Sequence, residues 1–149
     1  MKGEHELRCY TFTIYQLSSI QQGIQAGHAA VELMLKHPRT DVFHLNSVNE
    51  WAHYWKTMVC LNAGDVSELR DLIMFFSLTD NPYPWTVFYE SEESLDGIPT
   101  SIAIILPDRI FITAENLRKM KAGEEIAKFG FTEWEYKLIE RLSKTSLAR

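Results

Sequence analysis

Four side chains that can donate, accept or carry a proton recur at helical spacing near the start of the chain: Gln21, Gln25, His28 and Glu32. At about 100° per residue they fall along one side of a helix. An imidazole titrates near neutrality, and amides fix a substrate or water by hydrogen bonding. Glu90, Glu92, Glu93 and Asp96 lie within seven positions, interleaved with Ser91 and Ser94. The same carboxylates with His28 could hold a divalent cation through oxygen and imidazole ligands. A solvated hairpin loop whose charges blunt a sheet edge is the simpler reading, and no metal or cofactor is assigned.

Other candidates weigh less. No G-x-S-x-G pattern frames Ser91 or Ser94, and no glycine-rich phosphate loop is present. His5, His37, His44 and His53 form no ligand spacing. Trp51, Tyr54 and Trp55 suit either a stacking platform or ordinary core packing, the default for aromatics. His28 itself has two open readings, a ligand-facing residue or a surface histidine.

The elements that must position these groups follow from pattern. Arg8–Tyr15 is rich in β-branched and aromatic residues and reads as a strand. Ser19-Ile20-Gln21-Gln22 fits a capping box that opens a helix, which runs to about His37 and stops at Pro38. On that helix Ile20, Ile24, Val31 and Leu35 form one apolar stripe, offset by roughly 80° from the Gln21–Glu32 face. Gly23 and Gly27 each cost about 1 kcal/mol relative to Ala, which suggests close approach of another element. Ser47–Glu50 opens a short helix with Trp51 and Trp55. Thr57–Leu61 reads as a strand, Asp65–Glu68 caps a third helix, and Trp85–Tyr89 and Ser101–Leu106 read as strands. Beyond Pro107 come an apolar piece at Ile110–Ile112, a helix at Ala114–Lys121, and a last helix capped at Thr132–Glu135 and carrying Trp134, Leu138 and Leu142. Strands alternating with helices predict one α/β domain: a mixed sheet of about four strands with helices on both faces.

Composition narrows the function classes. The chain has 149 residues, 46% of them apolar and 23% charged, with 18 aromatics, which suits one folded domain. No apolar run reaches the roughly 18 residues of a membrane span, and no signal-peptide core follows the N-terminus, so a cytoplasmic protein without membrane contact is expected. Cys9 and Cys60 fall in predicted strands and are expected to be buried, reduced thiols. The net charge of −5 is uneven. Residues 1–107 hold 6 Lys and Arg against 13 Asp and Glu, whereas residues 108–149 hold 9 against 7. A nucleic-acid binder concentrates positive charge where it meets phosphate. The first 107 residues do the reverse. Arg118, Lys119, Lys121 and Lys128 give the C-terminal segment its basic character, available to the acidic body, to a partner or to solvent.

The segment from Gln21 to Ala30 resembles the signature helix of type-II peptidyl-tRNA hydrolases, roughly K-x-x-x-Q-x-x-H-A. Glu50-Trp51, Met58-Val59-Cys60-Leu61, Ser67-Glu68-Leu69 and Ala103-Ile104-Ile105-Leu106-Pro107 are similar to that family's later elements in order. The resemblance covers about residues 9–107. It implies a peptidyl-tRNA hydrolase II-like α/β domain at 1–107, a helical C-terminal extension at 108–149 packed on or near it, and a homodimer. Gln25 and His28 match the motif, but its lysine falls on Gln21. The family's D-A-G-x-T segment is not matched. Aligned back from Pro107, its Asp and Thr fall on Tyr89 and Glu93, or after a one-residue shift on Glu90 and Ser94. The family's reaction, hydrolysis of the peptidyl-tRNA ester, needs a base and a stabilised oxyanion. The expectation is therefore a non-enzymatic binding or inhibitory protein, taking a small ligand or a protein partner through Gln21, Gln25, His28, Glu32 and Ser94. The alternative is a divergent active hydrolase that binds tRNA and uses His28 with Glu90 or Glu93.

Overall fold

The computed structural model describes residues 3–37, 47–91, 97–121 and 130–148. In chain order these form β1 (Leu7–Ile14), α1 (Ser19–Lys36), a π-helical turn (Trp51–Trp55), β2 (Met58–Gly64), α2 (Val66–Phe76), β3 (Trp85–Tyr89), β4 (Pro99–Pro107), α3 (Asp108–Lys119) and α4 (Glu133–Ser143). The strands make one mixed sheet in the order β2-β1-β4-β3. β1 runs parallel to β2 and antiparallel to β4, which pairs antiparallel with β3.

Period-two alternation decides which side chains meet which helices. Tyr10, Phe12 and Ile14 of β1 join Ile102, Ile104 and Leu106 of β4 in one core with α2, α3 and α4. Cys9, Ala103 and Ile105 face the other way and pack on Ala29, Ala30 and Leu33 of α1, with Val48 and Trp51. Both faces of β4 are covered, so its apolar residues run without a break.

Residues after Pro107 belong to this core. Ile110, Ala114, Trp134, Leu138, Ile139 and Leu142 all join the larger cluster. Trp134 stacks on Phe75 with ring centroids 5.0 Å apart. Each such large apolar side chain contributes about 1.5–3 kcal/mol by leaving water. The buried Glu135 carboxylate ties α4 down as well. It accepts from the Tyr83 hydroxyl, from Arg109 at 3.2 Å and from the Thr132 amide at 2.9 Å. Arg118 donates to the carbonyls of Leu142, Ser143 and Thr145 at the C-terminal end of α4, so its charge serves a helix end. Residues 146–148 then lie along β2: the Asn62 amide donates to the Ser146 carbonyl and the Ala148 amide to the Cys60 carbonyl, both at 2.9 Å.

Several elements differ from their sequence reading. Ser18, not Ser19, is the N-cap of α1, with Gln21 completing the capping box. α1 turns Gln22, Gln25, Ala26, Ala29, Ala30 and Leu33 inward, while Ile20, Ile24, Val31 and Leu35 are exposed. Periodicity finds an apolar stripe but not the surface it meets, and here the small alanines fit the sheet. No described atom comes within 4 Å of a Cβ built on Gly23 or Gly27, so no described element closes on them. α3 starts at Asp108, directly after β4, because Pro107 is its N-cap and its fixed φ of −67° leads into the helix. The separate apolar piece and later helix are thus one helix. Cys9 is buried but Cys60 is exposed. Trp51 is buried and Trp55 half-buried against the smaller core, while Tyr54 is exposed.

Candidate functional site

Gln25 sits on the edge of the buried face of α1, 7% exposed, where the helix passes the start of β4 and the end of β3. Its amide is held at both ends. Thr100 Oγ1 donates to Gln25 Oε1 at 2.7 Å, and Gln25 Nε2 donates to Glu90 Oε2 at 2.8 Å. The second carboxylate oxygen, Glu90 Oε1, accepts from the Ser91 amide at 3.0 Å. The Glu90 amide donates to the Ile98 carbonyl at 3.0 Å, which fixes the base of the β3–β4 connection. A carboxylate just past β3 is thereby bound to the helix that carries the motif residues. Beneath α1, on the same sheet face as Cys9 and Ala103, Thr13 Oγ1 and Ser101 Oγ form a buried hydrogen bond at 2.9 Å.

The other motif residues stand apart from this relay. His28 is exposed, with its ring 4.7 Å from that of Phe88 on β3. Gln21 serves the N-terminus of α1: its Oε1 accepts from the Ser18 amide at 3.2 Å. Glu32 is exposed one turn past His28. Glu93 and Ser94, with Glu92 and Asp96, lie outside the described residues. The structure therefore brings Gln25 and Glu90 together, sets His28 over β3, and commits Gln21 to a cap. Thr100 was not found from sequence. It lies 75 positions from Gln25 in a run that reads only as a buried strand, and no local signal joins them.

Among the described residues no lysine or arginine forms a hydrogen bond or ion pair with Gln25 or His28. Lys56 Nζ donates to the His53 carbonyl, and Lys36 lies over the Trp85 ring at 5.2 Å. Burial lowers the Lys36 pKa from its ordinary value. Among the described residues no three His, Cys, Asp or Glu side chains converge as a metal set would. No described helix is long and apolar enough to cross a membrane.

A separate cleft lies elsewhere. About 890 Å³ in volume, it opens beside the start of β1 and the end of β4, between Leu7, His53, Tyr54, Ile105 and Arg109. Gln21, Gln25, His28, Glu32 and Glu90 are not among its lining residues. Four separate stretches of chain assemble it, which is why no motif announces it. No family model matches the chain, and no curated protein does.

Proposed function

We propose that the chain is a type-II peptidyl-tRNA hydrolase-like protein whose catalytic set has degenerated, and that it acts by binding a small ligand or a protein partner in the cytoplasm. The observation that carries this reading is the closed Thr100–Gln25–Glu90 relay. Ester hydrolysis needs donors held ready for an oxyanion and a base free to take a proton from water. Gln25 has given its carbonyl to Thr100 and one N–H to Glu90, and its burial leaves the second N–H little access. Both oxygens of Glu90 accept hydrogen bonds. The lysine position holds Gln21, an uncharged cap, and loss of one oxyanion donor costs about 10²–10³ in rate. The exposed His28 ring on Phe88 leaves an aromatic, partly polar surface suited to contact rather than chemistry.

One observation favours the alternative of a divergent hydrolase: Glu90 does reach the motif helix, so a carboxylate stands beside Gln25. The discriminating experiment is hydrolysis of an N-acetylated aminoacyl-tRNA by the purified chain. The expected result is no release above buffer, the same for Glu90→Gln and His28→Ala, with no shift of tRNA mobility at low salt. Turnover that both substitutions abolish, with tRNA affinity falling steeply as salt rises, would overturn the proposal.

A further inference from the structure

The cleft beside the start of β1 and the end of β4 has an unbalanced charge. Glu4 and Glu50 line it on the acidic side, and Arg109 is the cation among its described lining residues. Arg109 is engaged elsewhere. Its guanidinium pairs with the Glu135 carboxylate at 3.2 Å, donates to the Gly130 carbonyl at 3.4 Å and lies 4.8 Å over the Phe131 ring. Asp108, in the first turn of α3, answers the positive end of that helix. The two glutamates have no such balance. Glu50 is half-buried, and both its oxygens accept from neutral donors: the Gly3 amide at 2.6 Å and Trp55 Nε1 at 3.1 Å. Among the described residues neither Glu50 nor Glu4 pairs with a lysine or arginine. A carboxylate partly withdrawn from water and left without a cation favours a positively charged visitor.

The rest of the lining says what kind of visitor. His53 and Tyr54 meet with ring centroids 6.5 Å apart and 61° between their planes, so two aromatic rings form a corner. Tyr54 is 52% exposed, and Tyr83 adds a third ring, tied down by the bond from its hydroxyl to Glu135. Ring faces attract ammonium groups through their negative quadrupole and accept apolar groups equally well. Leu7 and Ile105 add aliphatic surface. The volume of about 890 Å³ is that of a site for a small organic molecule. We propose that this cleft binds a small organic cation, its ammonium group at Glu50 and Glu4 and its apolar or aromatic body at Tyr54, Leu7 and Ile105. A metal ion suits it less, since no three His, Cys, Asp or Glu side chains converge among the described residues. An organic anion would meet two carboxylates and no disengaged arginine. The site is separate from the Thr100–Gln25–Glu90 relay, so the inference holds whether or not the chain hydrolyses an ester.

The test is an amide NMR titration of the full chain at about pH 8, above the ordinary imidazole range. The probes are 2-phenylethylammonium, benzyltrimethylammonium and 3-phenylpropanoate, an acid that matches the first in size and reverses its charge. Both cations should give saturable shifts around Glu50, Tyr54 and Arg109, and should bind about tenfold or more tightly than the acid. Glu50→Gln should weaken both cations about tenfold. Because Glu50 also holds Gly3 and Trp55, Glu4→Gln provides a second reading. Glu4 is exposed, so this change should weaken binding about threefold with an unchanged melting temperature. Tyr54→Leu should weaken benzyltrimethylammonium, which has no N–H to donate, by about threefold. No saturable shift with either cation would overturn the inference. So would equal affinity for the acid, or cation binding indifferent to both glutamate substitutions.

Discussion

The buried relay at Gln25 can be taken apart by a double-mutant cycle. Thr100 is fully buried, and its hydroxyl donates to Gln25 Oε1 at 2.7 Å. Thr100→Val keeps the shape and removes the donor. Gln25 is 7% exposed, so water cannot readily replace that donor, and the orphaned carbonyl should cost about 2 kcal/mol. Gln25→Leu keeps most of the volume but strands the Thr100 hydroxyl and takes one donor from Glu90. Glu90 is half-buried and can recruit water, so this change should also cost about 2 kcal/mol. The double variant strands no fully buried partner. It should cost about 2 kcal/mol rather than 4, a coupling of about 2 kcal/mol. Urea denaturation followed by tryptophan fluorescence measures all three, and each kcal/mol should move the melting temperature by about 2–4 °C. Costs that add to within about 0.5 kcal/mol, or a Thr100→Val variant as stable as wild type, would show the amide is not held. Gln25 would then be free to serve a substrate, and the case for a degenerate site would lose its main support.

Two further outcomes follow from burial. Leu138 is fully buried at the centre of α4, so Leu138→Ala should destabilise the whole domain by about 2–5 kcal/mol in one cooperative transition; a separate early transition confined to residues 108–148 would contradict a shared core. Burial also pushes the Cys9 thiol from 9.0 up to about 12. The unfolded chain therefore releases that proton first, so stability is full below about pH 9 and falls toward pH 12 by up to about 1.4 kcal/mol per pH unit. Melting temperatures from about pH 8 to 11 should fall less steeply in Cys9→Ala; equal slopes would refute the assignment. The Tyr10 hydroxyl, also raised to about 12 chiefly by burial, accounts for part of the remaining slope.

Local signals were legible where chemistry is local. Trp85–Tyr89 matches β3 residue for residue, because an aromatic and β-branched run between turn residues has no competing reading. Asp65 and Thr132 cap α2 and α4 as their spacing predicts, since a cap is decided within four residues. What failed depended on distant partners. The stripe on α1 was found, yet its exposure follows from the complementary alanine face, which fits tightly over Cys9 and Ala103. A strand position such as Cys60 predicts burial, but β2 is an outer strand and the thiol is exposed. Pro107 read as the end of a strand, although the same fixed φ opens α3. At the candidate site the pairing of Gln25 with Glu90 spans 65 positions and that with Thr100 spans 75, so sequence could name the first two as candidates but not join the three.

The strip of chain at 146–148 has a consequence for how this molecule meets extended peptides. It occupies the outer side of β2 at Cys60–Asn62 through two backbone hydrogen bonds. An intruding strand, whether from another protein or from a misfolded neighbour, must first evict it. Those bonds are worth about 1–3 kcal/mol together, enough to discourage casual templating yet weak enough for a strong competitor to displace.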